Sequence, residues 1–394
     1  MIRIIMILLL TARIGFCQIP KLYIHLVSHN EPNENLQTPL NYSKAKTNLL
    51  RMAELVDRKN VKWNLQTSDG LVLGALSDQA NSSTNIFKIL SDASYTDNIE
   101  IDPRSKNSGG RNIADQWYLL DSLGANPTFH LGGCIYSTTN PSIQPIDWEQ
   151  YRNPIIGNIY HNSWQCQLIT GAGSYPPHTN DLNDFGIFKP DTANNFYSHN
   201  PSKNLWCIGT GCAPVLDSLD DEQLIFQLIK NQVDSIQSEK WPGDKFYVTR
   251  IMTNQREYGS LFFEKLSRLL DSLNTLPAAQ LQWATIGETF EAFQEWQSQS
   301  GKDHSQWRCG RLRTSVGEYE LNTPITIFPN PSHGIFTFQF ADLSLHEIEL
   351  FDLTGKIKLK ENFLTNSKLD LSNFADGIYI LRVDQKLNSK LIKQ

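Results

Sequence analysis

Apolar runs alternate with helical segments from residue 18 to residue 310, and this alternation constrains the fold more than any other feature of the chain. Lys21–Ser28 is strand-like, and Ala45, Leu49, Ala53 and Val56 then follow the 3.6-residue period of a helix. About seven such units follow one another. Parallel strands need long crossover connections, which helices supply. The pattern therefore predicts an α/β fold, a (β/α) barrel of seven or eight units with some irregularity.

The pattern changes from about Thr323 to short alternating runs bounded by Gly, Asn and Asp, such as Ile335–Phe340, Glu347–Leu353 and Ile378–Val383. Several short strands at regular spacing predict a small all-β sandwich of about 70 residues. All nine Trp lie before residue 310, so the composition changes at the same place. The change of pattern and composition indicates that the two parts of the chain have different functions.

The first 17 residues have the pattern of a secretory signal peptide, with Arg3 ahead of the apolar run Ile4–Leu10 and cleavage near Cys17. Seven apolar residues are too few to cross a membrane, which takes about 20 in a helix. An N-terminal strand is the alternative interpretation. We predict a signal peptide at 1–17, the barrel at 18–310, a linker at 311–322 and the sandwich at 323–394, with no transmembrane segment in the mature chain.

Charge and cysteine content exclude two classes of protein. Lys and Arg number 35 against 41 Asp and Glu, a net charge of −6 that offers no basic field for nucleic acid. Five cysteines remain after the signal peptide, too few and too scattered for a disulfide framework. Cys207 and Cys212 are near enough in sequence to bridge after export.

Polar side chains stand where several predicted strands end. In (β/α) barrels the chemistry lies on loops at the carboxyl ends of the strands. His29 and Glu31 follow the first strand, and Asp102 ends the third. An imidazole and a carboxylate at a strand end can share a divalent metal or pass a proton. We predict Glu31, Asp102 and His29 as catalytic residues, with a hydrogen-bonded loop as the alternative for the first pair.

Residues 158–204 do not fit a single strand–helix repeat and are rich in Gly, Asn, Pro, His and aromatic residues. An excursion of this length in a compact domain is usually functional, and its aromatic rings could stack on sugars. His178 and Asp181 form a second imidazole–carboxylate pair there. The predicted substrate-binding residues are Gln66, Asp69, Arg104, Lys106, Trp164, His178 and Asp181.

Ordered motifs near the C-terminus carry a specific resemblance. They are Pro329–Phe336, Leu350–Lys356, Asp370–Ser372, Gly377–Val383 and Lys390–Lys393. In order and spacing they resemble the type A C-terminal sorting domain of the type IX secretion system. The resemblance implies a Gram-negative protein that passes through the periplasm, engages the type IX machinery through residues 323–394, and is secreted or held at the outer cell surface. A carbohydrate-binding sandwich is the alternative, but the segment has no Trp.

The large domain resembles the glycoside hydrolase/deacetylase barrel superfamily in Val61–Thr67, Glu100–Pro103, Asn112–Asp115 and Gly186–Pro190. The resemblance implies hydrolysis at a carbohydrate, N- or O-deacetylation, with a divalent Zn-like metal held by an Asp and two His. The candidate metal ligands here are His29, His178 and Asp181.

One departure from the family weakens the metal prediction. Related deacetylases carry a His-x-His pair after the Asp-Pro, whereas this chain has Arg104-Ser105-Lys106. Two cations cannot hold a metal and repel it. The alternative function is therefore a non-catalytic glycan- or anion-binding surface protein on a degenerate barrel.

Overall fold

The chain forms two compact units, Met1–Leu312 and Arg313–Gln394. The computed structural model describes residues 19–30, 34–78, 85–92, 95, 97–104, 108–133, 148–170, 184–192, 195–196, 198–209, 215–216, 222–308, 326–340, 346–352, 356–364, 366–383 and 387–394. No helix within these ranges is both long enough and apolar enough to cross a membrane.

Strands and helices alternate along most of the first unit. Its strands are β1 (Leu22–His29), β2 (Trp63–Thr67), β3 (Ile99–Pro103), β4 (His130–Leu131), β5 (Ile155–Ile156), β6 (Ser163–Trp164), β7 (Leu168–Thr170), β8 (Asp184–Phe188), β9 (Trp206–Ile208), β10 (Val215–Leu216), β11 (Tyr247–Asn254), β12 (Leu281–Trp283) and β13 (Ser305–Arg308). Its helices are α1 (Pro39–Arg58), α2 (Asp69–Ser77), α3 (Ile86–Leu90), α4 (Ile113–Ser122), α5 (Glu222–Gln237), α6 (Ser260–Leu273) and α7 (Ile286–Ser300).

The strands of the first unit form a mainly parallel sheet. The order β10-β11-β1-β2-β3 is followed, through a parallel bridge between Arg104 and Gly132, by the order β4-β7-β9-β8-β13. Strands β4, β7 and β9 are parallel, while β8 and β13 run antiparallel to their neighbours. A mixed α/β fold with a parallel sheet is confirmed. The antiparallel pair β8–β13 and the short hairpin β5–β6 interrupt the regular repeat that the sequence predicts.

Side chains from distant strands meet on one face of this sheet, which we call the interior. Val27 of β1, Leu168 of β7, Ile208 of β9 and Val248 of β11 pack together there with Ile286 of α7. Because three strands separate β1 from β7 in the sheet order, the sheet must curl around a common centre. Buried side chains of α1 and α6 pack in a separate, larger apolar cluster that also takes in residues of β1 and β2.

Helix α7 begins at the amino-terminal ends of β2 and β3. Along Leu22–Ile24, β1 pairs with β12, and along Leu26–His29 it pairs with β2, so β12 and β2 share one side of β1. Thr285 caps the helix in a reciprocal capping box with Glu288. The N–H of Ile286 donates to Asn64 Oδ1 of β2 at 3.1 Å. The first turn of α7 is thereby fixed beside the polar side chains of the interior.

The second unit consists of β-strands. They are β14 (Thr326–Phe328), β15 (Ile335–Gln339), β16 (His346–Phe351), β17 (Ile357–Phe363), β18 (Lys368–Asp370), β19 (Gly377–Val383) and β20 (Leu387–Lys393). Two antiparallel sheets, β14-β15-β18 and β17-β16-β19-β20, share one apolar core. Phe336 and Phe338 from the first sheet meet Ile348, Leu350 and Leu381 from the second in this core. The predicted all-β character of this region is confirmed.

Candidate functional site

A cluster of three ionisable side chains, Glu100, Asp102 and His130, lies in the interior of the first unit, and we call it the Glu–Asp–His cluster. Glu100 and Asp102 alternate along β3 and therefore point to the same side of the sheet. Asn64 and Gln66 of β2 lie in register with them. The amide Nδ2 of Asn64 donates to Glu100 Oε1 at 2.8 Å and to Asp102 Oδ2 at 2.9 Å. One amide group thus holds both carboxylates.

Glu100 is surrounded by hydrogen-bond donors. Its carboxylate accepts from Asn64, from Nδ1 of His130 at 3.2 Å, and from the N–H of Gly287 in the first turn of α7 at 3.0 Å. Burial acts to raise the pKa of Glu100, but the hydrogen bond and charge of His130, with smaller effects of Thr285 and Asn64, lower it to about 2. The partial positive charge of the helix N-terminus acts in the same direction. Glu100 is therefore ionised at neutral pH.

Asp102 is completely buried and behaves in the opposite way. Its Oδ1 accepts from the hydroxyl of Thr128 at 2.7 Å and lies 3.8 Å from Nδ1 of His130. Burial and the charge of Glu100 raise the pKa of Asp102 to about 7, although His130, Thr128 and Asn64 act to lower it. A carboxyl group with a pKa near neutrality can accept and release a proton at physiological pH.

His130 carries the positive charge of the cluster. Burial acts to lower its pKa, but the hydrogen bond to Glu100 and the charges of Glu100 and Asp102 raise the pKa of His130 above its usual value. Because Nδ1 faces the Glu100 carboxylate, Nδ1 is the donor of that bond. The N–H at Nε2 is then the donor that the imidazolium can direct at a ligand.

The arrangement of the Glu–Asp–His cluster does not suit a metal ion. Its candidate ligand atoms lie within 4.8 Å of one another, but the carboxylate oxygens already accept N–H and O–H groups. Nδ1 of His130, the ring nitrogen that faces both carboxylates, is the donor to Glu100 and so has no lone pair to offer a metal. In this cluster the N–H group of His130 takes the place that a cation would occupy.

A second group of possible metal ligands, His199, Asp303 and His304, fits no better. Nδ1 of His199 accepts the backbone N–H of Lys189 at 3.1 Å. A neutral His199 therefore carries its proton on Nε2, the atom that lies 3.4 Å from Asp303. Nε2 of His199 makes no hydrogen bond to a described residue, and to bind a metal this atom would need the opposite tautomer.

Three of the predicted residues lie side by side. His29, Gln66 and Asp102 occupy matching positions on β1, β2 and β3, and His29 Nε2 is 3.0 Å from Gln66 Oε1. The buried Nε2 of Gln66 has no hydrogen-bond partner among the described residues. Gly132 packs so closely that a Cβ there would lie 2.4 Å from the Gln66 side chain. This row is the part of the predicted site that the structure brings together.

Four other predicted residues, Glu31, Lys106, His178 and Asp181, lie outside the described residues. The same is true of Cys212, the possible partner of Cys207. The catalytic role of Glu31 and the metal site of His29, His178 and Asp181 therefore remain predictions.

The remaining three predicted substrate-binding residues occupy structural positions. Asp69 accepts from Arg111 Nε at 3.0 Å and so fixes the segment that follows β3. Arg104 is 5% exposed and packs against Gly133. Trp164 is 1% exposed within an apolar cluster, so it offers no ring face to a sugar.

Glu100, Asn64 and His130 are absent from the predicted set. Chemistry was expected at the carboxyl ends of strands, whereas Glu100 and Asn64 lie near the starts of β3 and β2. A signal for two of them exists in the sequence. Asn64 and Gln66 alternate with Trp63 and Leu65 in β2, and Glu100 and Asp102 alternate with apolar residues in β3. Strands covered on both faces normally read as continuous apolar runs, so regular polar positions indicate a polar interior.

Residues 326–394 match the family described as the secretion system C-terminal sorting domain. The predicted sorting domain is therefore confirmed, and a tail of this kind implies export to the cell surface or secretion. No curated protein sequence matches the chain.

Three solved structures resemble the first unit at low identity. A "probable Polysaccharide deacetylase" from Pseudomonas aeruginosa PAO1 is 12% identical, with 70% of this chain and 91% of that chain covered and a TM-score of 0.42. An allantoinase is 9% identical, with 70% and 90% covered and a TM-score of 0.40. A 4-alpha-glucanotransferase from Thermococcus litoralis is 11% identical, with 69% and 38% covered and a TM-score of 0.39. A deacetylase is among them.

Proposed function

We propose that this chain is an exported hydrolase that removes acetyl groups from carbohydrate, with Asp102 as its acid–base group. The sorting tail supports export. The proposed route begins with removal of the signal peptide at residues 1–17 and continues through the periplasm of a Gram-negative cell to the type IX machinery. The carbohydrate substrate is inferred from the motifs of the large domain and from delivery to the cell exterior, where polysaccharides are the common acetylated polymers.

The observation that carries the proposal is the placement of Asp102 between a fixed negative and a fixed positive charge. Ionised Glu100 and burial bring the pKa of Asp102 to about 7, where a carboxylate is an effective base and its conjugate acid an effective proton donor. Thr128 and Asn64 fix the two oxygens of the carboxylate. The Asp102 carboxylate is therefore held in a fixed orientation and has a pKa near neutrality, as a general base needs.

The proposed reaction uses the cluster as a unit. Asp102 takes a proton from the water whose oxygen attacks the acetyl carbon, and the Nε2 N–H of His130 stabilises the negative oxygen that forms. When the tetrahedral intermediate collapses, Asp102 returns the proton to the sugar oxygen or nitrogen, and acetate leaves. Glu100 positions His130 and keeps it charged.

The alternative is a non-catalytic glycan- or anion-binding protein in which the cluster only supports the fold. Two observations favour it: Asp102 is completely buried, and a cavity of about 620 Å³ bordered by Glu100 lies at the amino-terminal ends of β2 and β3. Lys62, Asp97 and Asn126, which precede strands, also line that cavity. In (β/α) barrels this end usually serves stability.

Acetate release from acetylated chito- and xylo-oligosaccharides by the full-length protein tests the proposal. We expect Asp102→Asn to lower kcat/KM by about 100-fold or more, the usual contribution of a positioned general base. Because Asp102 must be ionised and His130 protonated at Nε2, the wild-type kcat/KM should rise as the pH approaches about 7, the pKa of Asp102, and fall again at higher pH where His130 loses its proton. Asp121→Asn, an exposed change on α4, is the matched control and should leave the rate unchanged.

Equal activity of Asp102→Asn and wild type would remove Asp102 from the mechanism. Failure of the wild type to release acetate from any of these substrates, together with retained binding of the oligosaccharides, would replace the hydrolase with the non-catalytic alternative.

A further inference from the structure

Arg250 of β11 is a buried cation that has no ion-pair partner among the described residues. Its side chain points into the interior, because its Nη2 donates to the Thr170 hydroxyl of β7, five strands away in the sheet order. The residue is 1% exposed, and neither Nε nor Nη1 has a hydrogen-bond partner in the part of the chain that the structure describes. No described carboxylate lies within ion-pair distance of the guanidinium, whereas Arg111, whose side chain is 14% exposed, pairs with Asp69 at 3.0 Å.

The groups around Arg250 do not neutralise it. His25, the residue paired with Arg250 on β1, has its pKa lowered to about 3 by burial and by the charge of Arg250, so His25 is neutral. Burial lowers the pKa of Arg250 itself to about 10, with Cys207 and Asp102 acting in the opposite direction, so the guanidinium is charged at physiological pH. Neither Cys207 nor Asp102 accepts a hydrogen bond from Nε or Nη1 of Arg250, and Asp102 makes no ion pair with Arg250 within the described residues.

A buried charge without a partner is strongly unfavourable, and proteins almost always supply one. The unpartnered N–H groups of a buried guanidinium bind an oxygen anion more strongly than a neutral ligand, because charge-assisted N–H···O⁻ bonds are the strongest hydrogen bonds that arginine makes. Carboxylates are the small oxygen anions whose planar geometry suits a guanidinium.

We propose that Arg250 forms a binding site for one carboxylate group in the interior of the first unit, with the unpartnered Nη1 N–H as its donor. The site differs from the expected one, since Arg104 and Lys106 were the predicted positive residues. The site itself does not depend on the proposed hydrolase activity. If that activity holds, the acetate that it releases is one source of the carboxylate, and a sugar acid is the other.

Calorimetric titration of the full-length protein with sodium acetate, sodium glucuronate and sodium chloride, in buffer without carboxylates, tests the site. We expect one carboxylate to bind per chain. Binding of acetate indicates a small free acid, whereas binding of glucuronate alone indicates a sugar acid. Arg250→Met should weaken carboxylate binding by at least about tenfold. Arg111→Gln is the matched control: it removes an arginine that already has a partner, and should leave the dissociation constant within about twofold of wild type.

A second variant tests the site in case Arg250→Met does not fold. Arg250→Lys retains a positive charge but lacks Nε and Nη1, and should also bind the carboxylate less tightly, by about threefold or more. The proposal is overturned if the wild type binds no carboxylate, if it binds chloride as tightly as acetate and glucuronate, or if a folded Arg250 variant binds carboxylate as the wild type does. None of these outcomes depends on whether the protein releases acetate from sugars, so the two proposals fail separately.

Discussion

Deletion of Thr323–Gln394 is expected to stop export and to leave the protein in the periplasm. The deleted residues contain the whole sorting-domain match and a separate apolar core, so their loss removes the export signal while the first unit keeps its own cores. Immunoblots of periplasm, outer membrane and medium from a host that has the type IX machinery measure the distribution. We expect the extracellular and surface share to fall by about tenfold or more. Truncated protein in the medium at the level of the full chain would contradict the assignment.

Point variants in the sorting domain test whether the export machinery recognises the folded domain or requires only that the C-terminal residues are present. Phe336 is fully buried in the core between the two sheets. Phe336→Asp places a charge in that core, which a small domain cannot tolerate, and should cause retention like that of the deletion. Phe336→Leu keeps an apolar side chain of smaller volume and should be exported. Export of Phe336→Asp at the normal level would mean that the machinery reads an unfolded segment.

The sequence predicts those elements of the fold that depend on local periodicity. The predicted strand Lys21–Ser28 differs by one residue at each end from β1, and the predicted helical positions from Ala45 to Val56 all lie within α1. The antiparallel pairing of β8 with β13 joins segments more than 100 residues apart. Such a pairing depends on contacts across the folded sheet, which no periodicity within a segment specifies.

In the candidate site too, the sequence predicts features of single strands but not the contacts between residues that are distant in the chain. Asp102 could be selected because it ends a strand. The contacts of Glu100 with His130 and with Gly287 depend instead on the register of three strands and on the position of β12 beside β1, which carries the start of α7 to Glu100. The unpaired state of Arg250 is likewise invisible in the sequence, because it depends on which side chains the curled sheet brings to the interior.

Glu100→Gln is expected to destabilise the first unit by about 3–5 kcal/mol, the usual cost of removing one partner of a buried ion pair. The Glu100 side chain is 13% exposed, and its carboxylate accepts only N–H donors, from Asn64, His130 and Gly287. A glutamine would turn an NH₂ group toward one of these donors and leave the His130 imidazolium without its partner. Urea unfolding followed by tryptophan fluorescence reports on the first unit alone, because all nine Trp precede residue 310.

Glu288→Gln is the matched control for this change. Glu288 lies in the same first turn of α7 and pairs with Lys62 at 2.9 Å, but its side chain is 44% exposed. A solvent-exposed ion pair contributes well under 1 kcal/mol after screening. A loss of stability in Glu100→Gln no larger than in Glu288→Gln would show that the Glu–Asp–His cluster does not hold the interior together.

The difference in the free energy of unfolding between wild type and Glu100→Gln should depend on pH, because the pKa values of Glu100 and His130 are shifted in the folded protein. The pKa of Glu100 is lowered from 4.5 to about 2, so its contribution is complete above pH 4.5 and is lost as the pH falls toward 2. The pKa of His130 is raised from 6.5, so the contribution of the imidazolium is complete below pH 6.5 and is lost as the pH rises through the folded-state value. The difference should therefore be largest between about pH 4.5 and 6.5 and decline on both sides. A difference that does not change with pH would mean that Glu100 and His130 are not a charged pair in the folded protein.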